Sequence, residues 1–456
     1  MRVTASDLYS YYCPSECPGR VWLRERGEPE GEPSPYQEVL LMLGKRHEES
    51  HLASLPTPTD LSSVPREERP TRTIEAVRER ASVVYQGALR VGHTVAGVAC
   101  EVLGEPDFLV REGNGYLIRD SKIARRVNEK DHLEILLQMG LYGWLYERTF
   151  GQPPVGLQVH SGTGDVVPLP YDGGGYALTR LGDILALKRA SAEPFSPCGW
   201  SKCSGCGFFH RCWHRAEACR DVALIPDADQ GLVAALRDKG VVAIEELLDR
   251  FNEEGLAAFQ RPYGGRMQKV GKKAGAILAQ AKALSTGKET LLASPDIPAH
   301  VNYVMFDLES LPPQLDEAEK IYLWGLQVFG SEPSQYWAAT AGFGQQGDRQ
   351  GWERFLLNAD AIFQHYGSVP FVHWAPYEKT RTKSYIARYG DPAGVAARVL
   401  DNLLDLHAQT KASIVLPPAE LQPEGPREVH RLPADLDGGR RGLGHGQVHR
   451  SHRDGR

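Results

Sequence analysis

Residues 104–122 read Gly-Glu-Pro-Asp-Phe-Leu-Val-Arg-Glu-Gly-Asn-Gly-Tyr-Leu-Ile-Arg-Asp-Ser-Lys, and this stretch decides the fold class that we expect. Its short apolar runs predict two strands, over 107–111 and 116–122. Asp120 and Lys122 are two residues apart in the second strand, so their side chains project from the same face. One metal ion could therefore meet both side chains, and Asp107 would supply a second carboxylate.

The surrounding sequence predicts an α/β organisation with several segments. The 456 residues suffice for two or three domains. Strands followed by an amphipathic helix over 130–147 predict an α/β domain over 1–220, which ends in a cysteine cluster. Helical spacing over 225–284, with turns at Gly240 and Gly271, predicts a connector over 221–290. Strands at 302–308, 321–329 and 335–338, then a helix over 351–366, predict a second α/β domain over 298–418.

Charge and cysteine content limit the classes of function. The chain carries 52 Lys and Arg against 58 Asp and Glu, a net charge of −6, so any nucleic-acid contact needs local basic patches. No apolar run reaches the roughly 18 residues of a membrane span, and the polar start lacks the pattern of a signal peptide. We therefore expect a cytoplasmic protein whose eight cysteines are thiols or metal ligands rather than disulfides.

The residues around the first strands have the chemistry of phosphodiester hydrolysis. Carboxylates hold Mg²⁺ or Mn²⁺, which lowers the pKa of a bound water, and a lysine can stabilise the resulting hydroxide. Gln138 and Tyr142 are four residues apart on the following helix, where an amide and a phenol could hold a DNA phosphate or orient the lysine. Upstream, Gly44-x-x-His47-Glu48 offers an imidazole. Each motif alone is typical of an ordinary helix or strand surface.

Taken in order, these motifs resemble the PD-(D/E)XK (restriction-endonuclease-like) superfamily, specifically RecB-like exonucleases and their CRISPR-associated relatives. The resemblance covers roughly residues 1–215. It implies a nuclease of DNA repair or recombination that cuts DNA ends or single strands, with RNA as a further candidate substrate and a helicase as a candidate partner. It also implies Mg²⁺ or Mn²⁺ ligands at His47, Asp107 and Asp120, a catalytic Lys122, and Gln138 and Tyr142 in the same site. The alternative function is a nucleic-acid-binding scaffold that does not cut and contains a structural metal centre.

The cysteine cluster predicts a metal centre. Cys203-x-x-Cys206-x5-Cys212 places three thiolates within reach of one another, and Cys198 would complete a local four-cysteine Zn²⁺ site. In RecB-like nucleases with an iron-sulfur cluster, one N-terminal cysteine joins three such cysteines. By that resemblance Cys17 would be the fourth ligand of a 4Fe-4S cluster, with Cys13 as its rival. The choice between iron-sulfur and zinc stays open.

A second carboxylate set occurs in the third segment. Asp307 and Glu309 lie two apart in the apolar run 304–309, which places both on one face of a strand. With residues 322–326, 373–378 and Asp405, this order resembles the RNase H-like 3′ to 5′ exonuclease fold found attached to some RecB-like nucleases. The resemblance implies metal binding by Asp307 and Glu309, with Glu378 and Asp405 as further partners.

The connector and the tail carry weaker patterns. Residues 236–241 and 270–274 resemble helix-hairpin-helix modules, which bind the DNA backbone, although a plain helical spacer fits as well. Residues 419–456 lose apolar periodicity and predict a disordered basic tail. The codons of residues 420–432, read in the frame shifted by one base, can encode a sequence that suits the helix expected next in the exonuclease-like fold. A frameshift would leave the RNase H-like domain incomplete and its site inactive.

Overall fold

The computed structural model describes residues 1–13, 15–311 and 319–416. These residues form a mixed α/β structure in which several sheets alternate with helices. The tail predicted over 419–456 lies outside the described residues, as do the last two residues of the predicted third segment. No described helix is long and apolar enough to cross a membrane.

The N-terminal region contains helices and two sheets. Its elements are β1 (Arg2–Thr4), α1 (Ala5–Tyr12), α2 (Pro18–Glu25), α3 (Pro35–Ser54), β2 (Thr59–Asp60), α4 (Arg69–Arg78), β3 (Val83–Tyr85), β4 (Leu89–Val95), β5 (Val98–Gly104), β6 (Phe108–Glu112), β7 (Gly115–Ser121), α5 (Leu133–Phe150), β8 (Gly156–His160), β9 (Val166–Leu169), α6 (Gly175–Arg189), α7 (Trp200–Cys203) and α8 (Phe209–Cys219).

The larger sheet of this region has the strand order β2-β3-β6-β7-β8-β9. Strands β6 and β7 form an antiparallel hairpin, and α5 connects β7 to β8, which runs parallel to β7. The smaller sheet, β1-β5-β4, was not predicted from the sequence, although β4 and β5 form an ordinary antiparallel hairpin.

Helix α5 is the centre of the N-terminal core. Its residues from Ile135 to Tyr146 are buried almost without interruption, so the helix is buried on all sides and is not the amphipathic helix that the sequence predicted. It packs against α1, α6 and both sheets. Gly104 permits this approach, because a Cβ there would lie 2.7 Å from the ring of Tyr142. This close contact fixes the position of the end of β5, and of the turn into β6, relative to α5.

The connector has its own set of buried apolar residues, which includes Leu232, Leu236 and Ile277. Its elements are α9 (Gln230–Asp238), α10 (Ile244–Arg250), α11 (Glu253–Ala258), β10 (Gln260–Tyr263), β11 (Arg266–Lys269) and α12 (Ala274–Thr286). The helical prediction was wrong for residues 260–269, which form an antiparallel hairpin. Gly264 and Gly265 turn this hairpin with φ of 58° and 79°, so the two-glycine turn outweighed the helical spacing.

The third region forms a five-stranded sheet with helices. Its elements are β12 (Thr290–Leu291), β13 (Tyr303–Leu311), β14 (Lys320–Phe329), β15 (Gln335–Thr340), α13 (Gly344–Tyr366), β16 (Phe371–His373), α14 (Tyr377–Tyr389), α15 (Val395–Asp401), β17 (Leu403–Asp405), α16 (Leu406–Ser413) and β18 (Ile414–Val415). The sheet order is β15-β14-β13-β16-β17. Strand β14 is antiparallel to both β13 and β15, and β16 and β17 continue parallel to β13.

Candidate active site

The register of the β6–β7 hairpin places Asp107 opposite Asp120. Phe108 pairs with Arg119, so the next pair outward joins the two aspartates. The backbone N–H of Asp107 donates to Oδ1 of Asp120 at 2.9 Å, and the backbone N–H of Ser121 donates to Oδ2 of Asp107 at 2.8 Å. These backbone hydrogen bonds hold the two carboxylates close together despite their like charge.

Lys122 balances the charge of the two aspartates. Its Nζ lies 2.9 Å from Oδ2 of Asp120, whose side chain is only 2% exposed. Burial alone would lower the Lys122 pKa, but Asp120 and Asp107 outweigh it and raise that pKa above its usual value. Burial and the neighbouring Asp120 raise the pKa of Asp107 well above its usual range. A carboxyl whose pKa is raised by burial and by a neighbouring charge is typical of functional sites.

Glu48 of α3 is a third carboxylate at this site, and it was not among the metal ligands predicted from the sequence. Its Oε1 accepts hydrogen bonds from Tyr85 Oη at 2.8 Å and Gln86 Nε2 at 2.5 Å. Gln86 Nε2 also lies 3.3 Å from Oδ1 of Asp107, and the charge of Glu48 contributes to the raised pKa of Asp107. The only sequence signal was its position next to His47.

His47 lies in a stack of imidazole rings. Its ring is 4.2 Å from that of His160, which is 3.9 Å from the ring of His51. His47 Nε2 lies 3.3 Å from the carbonyl oxygen of His160, and His160 Nδ1 lies 3.3 Å from Ser121 Oγ. His47 thus contacts the other imidazole rings. Glu48, one residue later on α3, is the side chain whose charge acts on Asp107. His51 and His160 were missed because the three rings come together only through folding.

Gln138 and Tyr142 are both buried on α5, at 7% and 3% exposure. Gln138 Nε2 donates to Tyr142 Oη at 2.8 Å, and Tyr142 Oη donates to the carbonyl oxygen of Glu105 at 3.1 Å. The pair therefore fixes the chain just before Asp107. Contact with a phosphate, or orientation of the lysine, stays a prediction for these two side chains.

Helix α1 covers the other side of Lys122. The Lys122 ammonium lies 5.7 Å from the centre of the Tyr9 ring, and Tyr9 is 40% exposed. The Cys13 thiol is hydrogen-bonded to Tyr9, and burial together with the charge of Glu134 raises its pKa to about 11. Cys13 thus belongs to the surroundings of Lys122.

The other cysteines of the predicted metal centre come together elsewhere. Burial, opposed by a backbone hydrogen bond from Arg20, raises the pKa of Cys17 to about 12, and the charges of three neighbouring thiols, Cys198, Cys206 and Cys212, add to it. The sulfurs of Cys198 and Cys203 are 3.9 Å apart, and Ser15 Oγ lies 3.2 Å from Cys198. A hydrogen bond from Cys203 lowers the pKa of Cys198 to about 6. Cys17 therefore has three of the downstream thiols among its electrostatic neighbours, whereas Cys13 lies beside Tyr9 and Glu134.

Within residues 1–13, 15–311 and 319–416, no group of three or more His, Cys, Asp or Glu side chains is arranged so that it could hold a metal ion. The donor chemistry nevertheless fits both predicted metals. Thiolates such as those of Cys17, Cys203, Cys206 and Cys212 suit iron-sulfur clusters and Zn²⁺ alike. The carboxylates of Asp107, Asp120 and Glu48 suit Mg²⁺ and Mn²⁺.

The predicted second site is only partly assembled. Asp307 and Glu309 point away from the buried face of β13, and burial with the charge of Glu378 raises the pKa of Asp307. Glu378 is 4% exposed, and its Oε2 lies 3.3 Å from His373 Nδ1. Asp405 instead caps α16, accepting from the N–H of Ala408 at 3.0 Å. Asp307 and Glu378 are therefore neighbours, while Asp405 has a structural partner.

No protein-family model and no curated protein sequence matches this chain. Among similar solved structures is the crystal structure of SSO0001, with 13% sequence identity and a TM-score of 0.20. The aligned region covers 38% of this chain and 94% of the SSO0001 chain. A similarity at that TM-score supports no conclusion on fold or function.

Proposed function

We propose that this chain hydrolyses phosphodiester bonds of DNA with Mg²⁺ or Mn²⁺, as a RecB-like nuclease of the PD-(D/E)XK class, at Asp107, Asp120 and Lys122. The observation that carries this proposal is the 2.9 Å contact between Lys122 and an almost fully buried Asp120 that is hydrogen-bonded to Asp107. Two adjacent carboxylates are costly in the interior, and structural residues would avoid them. Their retention favours a cation site.

The architecture around these residues supports the same class. An antiparallel hairpin carries both aspartates, and a buried helix leads to a strand parallel to the second hairpin strand. Strands followed by a helix are the order that the sequence predicts for the nuclease domain, and the strand after the helix was not predicted. A role in DNA repair or recombination, and a cytoplasmic location, belong to this proposal through the resemblance alone.

Each residue has a distinct part in the proposed reaction. Asp107, Asp120 and Glu48 would hold the metal ion through carboxylate oxygens. A metal ion held there would lower the pKa of a bound water and offset the charge on the phosphate. Lys122, held beside Asp120, would donate a hydrogen bond to the attacking water. Gln138 and Tyr142 would position Asp107 through the carbonyl group of Glu105.

The test is cleavage of end-labelled single-stranded and double-stranded DNA by the full chain, in Mg²⁺, in Mn²⁺ and in EDTA. We expect metal-dependent cleavage that Lys122→Ala lowers about 10²–10⁴-fold, the usual effect of losing a proton-transfer or water-positioning group. Asp120→Ala should abolish it, and Asp183→Ala, which removes an exposed acid of α6, should not. Equal metal-dependent cleavage by parent and Lys122→Ala would exclude this site, and no cleavage by the parent would favour the alternative, a binding scaffold that does not cut.

We infer that the third region is an RNase H-like domain without its own cleavage activity. Support for the fold comes from a mixed sheet with β13, which carries Asp307 and Glu309, at its centre. The inference of inactivity rests on the frameshift suspected over residues 420–432, which would replace the rest of this domain. Asp307→Asn should therefore leave DNA cleavage unchanged. Loss of cleavage in that variant would show that this region is catalytic.

A further inference from the structure

The β10–β11 hairpin of the connector presents exposed apolar and basic side chains together. Tyr263 is 49% exposed and Met267 is 58% exposed, and Arg266 at the turn is exposed as well. Large side chains left in water on a short hairpin lose the burial that would stabilise them. A ligand that covers them would account for their retention.

The base of the hairpin is fixed, so its tip is held out in a defined direction. Arg261 of β10 is 6% exposed and forms an ion pair of 2.8 Å with Asp229, the residue that caps α9. The N-terminus of α9 also touches the hairpin closely, because a Cβ at Gly231 would collide with the carbonyl oxygen of Pro262. Two independent contacts thus anchor β10 to α9.

The register of the hairpin divides its side chains between two faces. Arg261 pairs with Gln268 and Tyr263 pairs with Arg266, so these four residues share the face that includes the anchor. The Arg261 guanidinium lies over the Tyr263 ring, 4.6 Å from its centre, and packs against one face of the ring. Tyr263 is therefore oriented by a cation while about half of its surface stays accessible.

Cations surround the hairpin in a chain whose net charge is −6. The stretch from Gly255 to Lys288 contains seven Lys and Arg and no Asp or Glu. Four of them, Arg266, Lys269, Lys272 and Lys273, are exposed on β11 and the turn that leads into α12. Glu253 and Glu254 on the neighbouring α11 are the nearest acids in sequence. The hairpin and the following turn thus form a local basic patch.

We propose that this hairpin is a binding surface for single-stranded nucleic acid, on which Tyr263 stacks against a base while Arg266, Lys272 and Lys273 contact phosphates. Aromatic rings among cations bind single strands with little sequence preference, because every base has a face to stack. Duplex DNA has its bases already stacked and offers Tyr263 no partner. The surface therefore discriminates single strands from duplexes without contributing to cleavage.

Binding of a fluorescein-labelled oligothymidylate to the full chain, followed by anisotropy in EDTA, tests this proposal without any cleavage. The measurement stays informative even if the chain proves not to be a nuclease. We expect Tyr263→Ala to weaken binding on the order of ten-fold, while Tyr176→Ala, at a similarly exposed tyrosine on α6, has no effect. The labelled duplex should bind parent and Tyr263→Ala alike.

The salt dependence provides a second readout. Removing the charges of Lys272 and Lys273 by Ala substitution should lower the slope of log affinity against log salt by about 0.7 for each phosphate that the protein no longer neutralises. Lys379→Ala, on α14, should leave that slope unchanged. The proposal would be overturned if Tyr263→Ala and the Lys272→Ala, Lys273→Ala double variant both bound oligothymidylate with the affinity and salt dependence of the parent. A protein would then be the remaining candidate partner for this surface.

Discussion

Asp107 and Asp120 are joined directly, by a hydrogen bond of 2.9 Å from the backbone N–H of Asp107 to Oδ1 of Asp120. The return contact, from the N–H of Ser121 to Asp107, makes the arrangement reciprocal. The backbone of the β6–β7 hairpin therefore holds two carboxylates at one place, and the electrostatic cost of that proximity is a measurable property of the protein.

Asp107→Asn should stabilise the metal-free protein at neutral pH. Because the folded state raises the pKa of Asp107, it holds that proton more tightly than the unfolded chain does. The stabilisation is complete below the usual aspartate pKa of about 3.9 and is lost as the pH rises through the raised folded value. In EDTA, the melting temperature of the parent should therefore fall relative to the variant between mildly acidic and neutral pH.

Addition of Mg²⁺ should reverse this order. The ion takes the place of the Asp107 proton and stabilises the parent by mass action, whereas the variant lacks that ligand. Melting temperatures with and without Mg²⁺ at pH 7 measure both effects. Parallel pH curves for parent and variant, together with no effect of Mg²⁺, would contradict a cation site at Asp107.

Tyr142→Phe should lower cleavage as well as stability. The substitution leaves Gln138 Nε2 and the carbonyl oxygen of Glu105 without their buried partner. The expected loss is about 1–3 kcal/mol in the free energy of unfolding. Because Glu105 precedes Asp107 closely, we also expect cleavage to fall about ten-fold or more, since small displacements of reacting groups are costly.

Tyr146→Phe is the matched control for this change. Tyr146 is also buried on α5, but it contacts the ring of Phe150 at 4.7 Å, and its hydroxyl is hydrogen-bonded with Tyr116 and Gln152. It should lose stability while its cleavage rate stays parental. Urea unfolding and single-turnover cleavage on both variants separate the two effects. A parental cleavage rate for Tyr142→Phe would exclude the positioning role.

Much of the β6–β7 hairpin could be predicted from its residues. The strands were expected, and the turn contains only Gly113 and Asn114, because Glu112 pairs with Gly115. A two-residue turn fixes the register, so Asp107 could have been placed opposite Asp120 from the sequence. The same rule, applied to Gly264-Gly265, would have given the β10–β11 hairpin.

The contributions of distant residues could not be predicted in this way. Glu48 reaches Gln86 and Asp107 only because α3 packs across the sheet that holds β7. His51 and His160 meet through the same packing. Helical spacing places His47, Glu48 and His51 on one face of α3, but it does not say which of them faces the carboxylates. That choice depends on tertiary contacts between segments far apart in sequence.

The imidazole stack should make the protein sensitive to acid. Burial lowers the pKa of His51 to about 4, and His160 and Arg119 act in the same direction. Burial and His47 have the same effect on His160, whose pKa is also about 4. The unfolded chain gains protons at about pH 6.5, before the folded protein does, so stability is complete above that pH and falls as the pH drops towards 4.

His51→Phe should remove part of this acid sensitivity. The ring keeps its edge contact with Phe108, at 5.3 Å in the parent, but no longer titrates. Relative to its own value at pH 8, the melting temperature of the variant should fall less than that of the parent as the pH drops below about 6.5. Equal falls in the two proteins would show that His51 is not held neutral by the fold.

Three cysteine substitutions can identify the metal centre, because the two alternatives use different ligands. Cys17 has Cys198, Cys206 and Cys212 as electrostatic neighbours, and Cys17 also begins α2 as its N-terminal cap. An iron-sulfur cluster held by Cys17 would tie α2 to the region around α7 and α8. A Zn²⁺ ion held by Cys198, Cys203, Cys206 and Cys212 would leave α2 outside the metal centre.

Anaerobically purified parent, Cys17→Ser, Cys198→Ser and Cys13→Ser should therefore differ in iron, sulfide and zinc content. We expect the parent to be brown, Cys17→Ser to lose its iron and to melt at a lower temperature, and Cys198→Ser to keep its iron. Cys13→Ser should keep the metal, because its thiol contacts Tyr9 near Lys122. A colourless parent with one zinc, which Cys198→Ser loses and Cys17→Ser keeps, would instead establish the local four-cysteine site, because that site includes Cys198 and excludes Cys17.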